Sequence, residues 1–448
     1  MRRAAIPALY AVPAVPLAFL GLPLYVYLPA HYADLPGIGL ALVGAVLLLA
    51  RLFDVVTDPL IGLLADRSRS VLHPASLISV GVLMLGVGAW YLFQPPLQAT
   101  AFYLLLTLSI TYLGWTLLAI PYYALGAEFG DDEGDHQGQT RFAAWREAGM
   151  IVGTVAALTL PVIIDGDSAL VVVAHGLVWL LPLALAAVWL LPRSEVATPA
   201  GGAQGGLRAM WRDTSSAARQ LLGIHLLNAL AGGTAATLFV IYSRDVLGVG
   251  ERDSGLLLLL YFAAGLLALP LWVALARRIG EVRAWRAAML FAAAGFIPAA
   301  LLGEGQLSAF AVVCVLTGAT LGADIALPAA IQGRIVAHES RVLARPRGGA
   351  LFGLWGMAGK LALALAAGIS LPLLALLTSQ SAGLDRSTVT PWLYAGLPVV
   401  IKLVAVILLQ RSCLVGPLSH LQPSSSENHD DPIQTAVAVR RGADAGRL

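Results

Sequence analysis

Runs of about twenty apolar residues recur along this chain, and they decide what it can fold into. A helix rises about 1.5 Å per residue, so about 20 such residues span the hydrocarbon core of a bilayer. Twelve runs reach that length, near residues 7–31, 38–64, 74–95, 100–127, 143–164, 169–192, 219–243, 252–275, 284–303, 306–335, 350–377 and 391–411. The breaks between them are short and carry turn residues, as in "DLPG", "FQPP", "IDGDS" and "LGVGERDSG". Within lipid each backbone polar group must be satisfied inside the segment, so the runs predict helices. Only 12% of the residues are charged, against about 25% in a soluble domain. Mean hydropathy is +0.80. The chain reads as an all-α integral membrane protein.

Several function classes fall away. A net charge of +2 leaves no footprint for nucleic acid. Cys314 and Cys413 lie in apolar surroundings and suggest neither a disulfide framework nor a metal site. There is no H-E-x-x-H, no G-x-S-x-G and no Cys/His cluster, so the reading is not an enzyme and no cofactor is expected. The basic start, "MRR", resembles a signal peptide. Its apolar run is longer than an h-region of about 7–15 residues and is read as a retained first span.

The longest interior polar stretch, 193–218, divides the spans six and six. This gives an N-terminal half (1–192), a central cytoplasmic loop (193–218), a C-terminal half (219–413) and a polar tail (414–448) that reads as disordered and cytoplasmic. Basic residues set the orientation. One side collects Arg67, Arg141, Arg208, Arg212, Arg277, Arg278, Arg283, Arg341 and Arg345 among others, and the opposite side Arg244, Arg252 and Arg386. The arginine-rich side is expected to be cytoplasmic, with both termini on that side of a bacterial inner membrane. A weak repeat relates "GLLADRSRS" after span two to "VALARRIGE" after span eight. Leu64 and Arg67 match Leu275 and Arg278, while Val273 and Arg277 replace Gly62 and Asp66. The first of these loops, Gly62-x-x-x-Asp66-Arg67, resembles the short loop motif of the major facilitator superfamily. The resemblance implies two pseudo-symmetric six-helix halves. It also implies a glycine that permits close helix packing, and an Asp and Arg that pair across an inner gate.

Ionisable groups inside spans carry the functional signal, because a charge at mid-helix costs about 2.5–3.5 kcal/mol on insertion scales. Arg51, Asp54 and Asp58 lie near one face of span two. One Asp would satisfy the Arg; the second leaves a surplus negative charge, which repels its neighbour unless a proton or cation joins them. Hard oxygens suit Na⁺ or H⁺, and Thr57 and Thr116 could add neutral oxygens. The plainer alternative is a structural ion pair. Lys360 lies deep in span eleven and is expected to face the cavity near these acids. Lys402 reads as a lysine reaching for an interface. Arg146 could pair with Glu128 or Glu147, or meet solute. Asp324 has no local partner and could meet Lys360 or Arg146 across the bundle. His175 and His225 read as packing residues.

"RLFDVVTDPLIGLLADRSRS", "IPYYALGAEF…TRFAAWRE" and "GADIALPAAIQGR…GGALFGLWGMAGKLALALAAG" resemble the glycoside–pentoside–hexuronide:cation symporters, which include the melibiose carrier. The resemblance implies that Asp54 and Asp58, assisted by Thr57 and Thr116, hold the coupling cation. It also implies that Tyr123, Arg146 and Lys360 belong to the central site. Two positions depart from the melibiose carrier: span one has no acid, and Ala119 stands where a sugar-binding acid is expected. Melibiose-type recognition is therefore not expected, and a less hydroxylated, anionic or amphiphilic solute stays open. The expectation is a monomeric Na⁺- or H⁺-coupled symporter of a small organic solute, with Arg51, Tyr123, Arg146, Asp324 and Lys360 at the cavity. A proton-driven exporter on the same fold is the nearest alternative. A non-transporting scaffold would have little use for surplus buried carboxylates.

Overall fold

A computed structural model describes residues 5–33, 35, 40–68, 73–132, 138–163, 169–192, 206–378 and 385–415. The first stretch of the expected central loop and nearly all of the tail lie outside the described residues. Twelve helical rods run through the rest. They are α1 (Ile6–Ala11 and Ala14–Ala33), α2 (Leu40–Ser68), α3 (Pro74–Phe93), α4 (Ala101–Asp132), α5 (Gly138–Ile163) and α6 (Ala169–Leu190). The second half holds α7 (Ser216–Asp245), α8 (Glu251–Ile279), α9 (Glu281–Phe296, extended by a tight turn to Leu301), α10 (Leu307–Val342), α11 (Gly348–Leu377) and α12 (Arg386–Pro391, a wide turn at Trp392–Gly396, then Leu397–Arg411). Among the described residues nine helices are long and apolar enough to cross a membrane. Of the remaining three, α2 carries the buried Asp54, Asp58 and Asp66, and α5 the buried Arg146 and Glu147.

Several helices outrun the apolar stretches that announced them. Helix α4 continues to Asp132 and α10 to Val342. Beyond the hydrocarbon the backbone can stay helical while its side chains become polar. Helix α7 begins at Ser216 because Ser215 caps it, its side chain accepting from the Ala218 N–H at 3.2 Å. Proline sits inside α2, α4, α6, α8, α10 and α11 without ending them.

The halves meet along two seams, α2 with α11 and α5 with α8 and α10. Lipid tails are as apolar as leucine, so close packing rather than water exclusion holds helices together here. Gly62 and Gly349 show this on the first seam. A Cβ on either would lie 2.2 Å from the other's carbonyl oxygen, so only glycine fits. One turn on, Asp66 is buried and accepts from the Gly349 and Ala350 N–H groups at 2.6 and 2.8 Å. These are N–H groups of the first turn of α11, which have no partner within the helix and carry partial positive charge. Asp66 of the loop motif reaches across the seam between α2 and α11, where backbone N–H groups receive it. Arg67 is exposed.

The second seam closes on the same face. Glu281 accepts from the Thr140 hydroxyl at 2.7 Å and pairs with Arg334 at 3.0 Å. Nearby, Glu339 pairs with Arg347 at 3.2 Å and accepts from the Ser215 N–H at 3.0 Å. The two halves are thus joined at the arginine-rich face.

Both Gly62→Val and Asp66→Asn should loosen that face. In a Cys413→Ser background, a cysteine introduced by Ala350→Cys should react with a small maleimide about tenfold faster in either variant, the equivalent of about 1.4 kcal/mol. Unchanged labelling would show that these contacts do not close the seam.

Candidate functional site

The acids of α2 lie in the middle part of that helix and face α4 and α11. Asp54 and Asp58 are each 1% exposed, so neither is solvated from outside. Their spacing of four residues stacks them on one face. Lys360 lies twelve residues into α11, about 18 Å from its start at 1.5 Å per residue. That is too deep to reach the interface, and its ammonium turns inward. Lys360 Nζ stands 2.7 Å from Asp54 Oδ1 and 2.7 Å from Asp58 Oδ1. Thr116 on α4 completes the group. Its hydroxyl oxygen is 2.9 Å from Asp58 Oδ1 and 3.3 Å from Asp54 Oδ1, and accepts from Lys360 Nζ at 3.2 Å. A hydroxyl has one proton, so the shorter contact to Asp58 is the better donor geometry.

The surroundings are tight. Arg51 closes the outer side of Asp54 at 3.8 Å and lies over the Tyr112 ring. Lys360 Nζ lies 5.0 Å from the Trp115 ring centre. On α11, a Cβ at Gly356 would come within 2.6 Å of Asp58 Oδ2. That oxygen is buried and has no hydrogen-bond partner. Formal charges cancel: Arg51 and Lys360 balance Asp54 and Asp58. Thr57, expected as a ligand, turns its hydroxyl to the Asp54 backbone carbonyl at 3.2 Å, the back-bond usual for threonine in a helix.

Arg146 resolves differently from the acids of α2. It is buried and takes the neighbouring Glu147, with Nη2 and Nε at 2.8 and 3.0 Å from one carboxylate oxygen. The guanidinium also covers the Tyr123 ring at 4.6 Å, and Tyr123 packs against Phe352 of α11. Glu147, of the two expected candidates, is therefore the partner of Arg146.

Two expectations are overturned. Asp324 meets neither Lys360 nor Arg146; its carboxylate pairs with Lys402 of α12. Lys402 does not reach for an interface, because Asp324 and the Asn228 side-chain oxygen, 2.7 Å away, hold it inside the bundle. Asn228 carries no charge and stood out in no motif. The available signal was charge balance: Asp324 and Lys402 were the remaining acid and base without partners at comparable depth. His225 packs as expected, stacked on Trp355 with ring centres 3.6 Å apart. His175 is exposed, its Nδ1 2.8 Å from the Val171 carbonyl of its own helix.

Known proteins resemble this chain in sequence and fold. The family described as MFS/sugar transport protein matches residues 9–414. The chain belongs to that family. This transporter is 32% identical to the inner membrane symporter YicJ of Escherichia coli over 152 residues, 32% of each chain. It is 27% identical to the uncharacterized symporter YjmB of Bacillus subtilis over 164 residues, 34% of this chain and 35% of that one. These matches span about a third of the length of the curated relatives. In fold it resembles the E. coli fucose:proton symporter FucP at a TM-score of 0.64 and 13% identity, over 91% of this chain and 98% of that one. It is an integral membrane protein of the major facilitator type, similar over part of its length to inner-membrane and glycoside/cation symporters.

Removing one partner of a buried ion pair costs about 3–5 kcal/mol, whereas replacing both can be nearly neutral. Lys402→Ala should therefore lower the unfolding temperature in detergent clearly. The double variant Asp324→Asn/Lys402→Met should recover most of the loss. Equal melting of the single and double variants would mean the two charges do not pair.

Proposed function

We propose that this transporter couples movement of a small organic solute to Na⁺ or H⁺, with the ion bound at Asp54 and Asp58. The observation that carries this reading is Lys360 Nζ at 2.7 Å from both carboxylates. An ammonium held there occupies the place a monovalent ion would take. The Thr116 hydroxyl and the free Asp58 Oδ2 are further hard oxygens for such an ion.

The charges explain how coupling would arise. Arg51, Asp54, Asp58 and Lys360 sum to zero, so one more cation leaves a surplus charge in a low-dielectric site. Arrival of Na⁺ or H⁺ therefore favours release of Lys360. The acids lie on α2 in one half and Lys360 on α11 in the other, so this exchange breaks an ion pair across the seam. Ion binding then biases the packing of the halves, as coupling requires. A symporter must also return without its ion. Lys360 supplies the missing positive charge for that step, with the seam packed from Gly62 and Gly349 up to the Asp58 carboxylate.

Calorimetry on the purified protein tests the assignment, with Na⁺ and Li⁺ against K⁺ and with pH jumps. Saturable Na⁺ heat or proton release is expected, absent in Asp58→Asn. Lys360→Gln removes the competitor and should tighten ion binding about tenfold, about 1.4 kcal/mol, while abolishing accumulation in proteoliposomes. Proton release with no Na⁺ effect would make H⁺ the coupling ion. Neither signal in the wild type would contradict the reading.

A further inference from the structure

The C-terminal half carries a second polar cluster that ion coupling does not use. Asp324 of α10, Lys402 of α12 and Asn228 of α7 converge near the middle of their helices. Lys402 donates to Asp324 Oδ2 and to Asn228 Oδ1. An ammonium has three protons, so one donor remains. Asp324 Oδ1 is buried and has no hydrogen-bond partner. Leaving a buried carboxylate oxygen unpaired is costly, and a structural ion pair gains nothing from it.

We propose that Asp324, Lys402 and Asn228 anchor the solute, and that the solute is a neutral molecule with adjacent hydroxyl groups. This inference rests on the transport reading above. A hydroxyl both donates and accepts. One hydroxyl can give its proton to Asp324 Oδ1 while its neighbour accepts the remaining proton of Lys402. The pair is formally neutral, so neither an anion nor a cation finds compensation there. A carboxylate would face the free oxygen of Asp324, and an ammonium would face Lys402. Three residues back along α7, on the same side of the helix, His225 stacks on Trp355. Trp355 packs against a cluster containing Ala326, Ala329 and Ala330 of α10 and Ala143 and Ala144 of α5. The stacked His225–Trp355 pair therefore lies about one helical turn along α7 from Asn228. The charged groups of the N-terminal half have partners of their own: Lys360 holds Asp54 and Asp58, and Arg146 holds Glu147. Placed this way, hydroxyl recognition needs no acid in α1 and none at Ala119.

The test is direct binding to the full chain in detergent, read by tryptophan fluorescence. The probes are D-xylose, D-glucose and methyl β-D-glucoside, with D-glucuronate and choline as charged counterparts. Saturable binding of a neutral probe is expected. It should weaken by about tenfold or more, the scale of one hydrogen bond to a charged group, in Asp324→Asn and in Asp324→Asn/Lys402→Met. The Na⁺ or proton response at Asp58 should persist in both variants and reports that they are folded. Wild-type binding of the neutral probe by both variants would overturn the proposal. So would binding confined to glucuronate or choline, or no binding of any neutral probe alongside an intact ion response. Neutral-probe binding that depends on Asp324, in a protein with no ion response, would support this anchor and count against ion coupling alone.

Discussion

A charge in the middle of a bilayer has to be cancelled where it stands, and the ammonium of Lys360 between Asp54 and Asp58 is where this molecule meets that requirement. Without the lysine, two carboxylates one helical turn apart would repel each other beyond the reach of water. With it, four charged groups on two helices sum to zero. The two helices belong to opposite halves, so the cheapest arrangement of charge also ties the halves together. On the proposed reading, an ion that replaces Lys360 satisfies the same carboxylates and releases this tie. Structural neutrality and coupling would then be one property of one cluster.

The clamp works because the helices can approach. Gly62 against Gly349 brings the α2 and α11 backbones into contact, and a Cβ on Gly353 would meet the Asp58 carbonyl at 2.7 Å. Larger residues would hold Lys360 away from the acids. At the arginine-rich end Asp66 adds a charge-assisted tie to the start of α11. The same seam therefore carries three kinds of contact in order from the face inward: carboxylate to helix end, backbone to backbone, and carboxylate to ammonium. The α5 seam is closed differently, by side-chain contacts of Glu281 with Thr140 and Arg334.

Much of this could be read in the sequence. The apolar runs gave twelve helices because lipid leaves the backbone no other choice. Asp54, Asp58 and Lys360 were legible because buried charge is rare enough to count, and Thr116 entered as a neutral oxygen through the family resemblance. What failed was the pairing of Asp324 with Lys402. Asp324 and Lys402 lie 78 residues apart, and local neighbours gave Lys402 no polar support, so it read as an interface lysine. Asn228 has no charge and no motif to announce it. Thr57 was placed beside Asp58 by sequence adjacency, yet a threonine in a helix bonds its own backbone readily. The depth of a residue follows from counting along a helix; which helix it faces depends on packing that no single segment encodes.

Lys360 and Lys402 are the two lysines of the whole chain, which makes the central claim accessible to one experiment. Protein labelled with [ε-13C]lysine should give two side-chain signals, and Lys402→Arg identifies the one from Lys360. That signal should shift on saturating Na⁺ or on acidification, with the same midpoint as ion binding, and should stay still in Asp58→Asn. A Lys360 signal that ignores both Na⁺ and pH while the transporter still accumulates solute would contradict displacement of the lysine by the coupling ion.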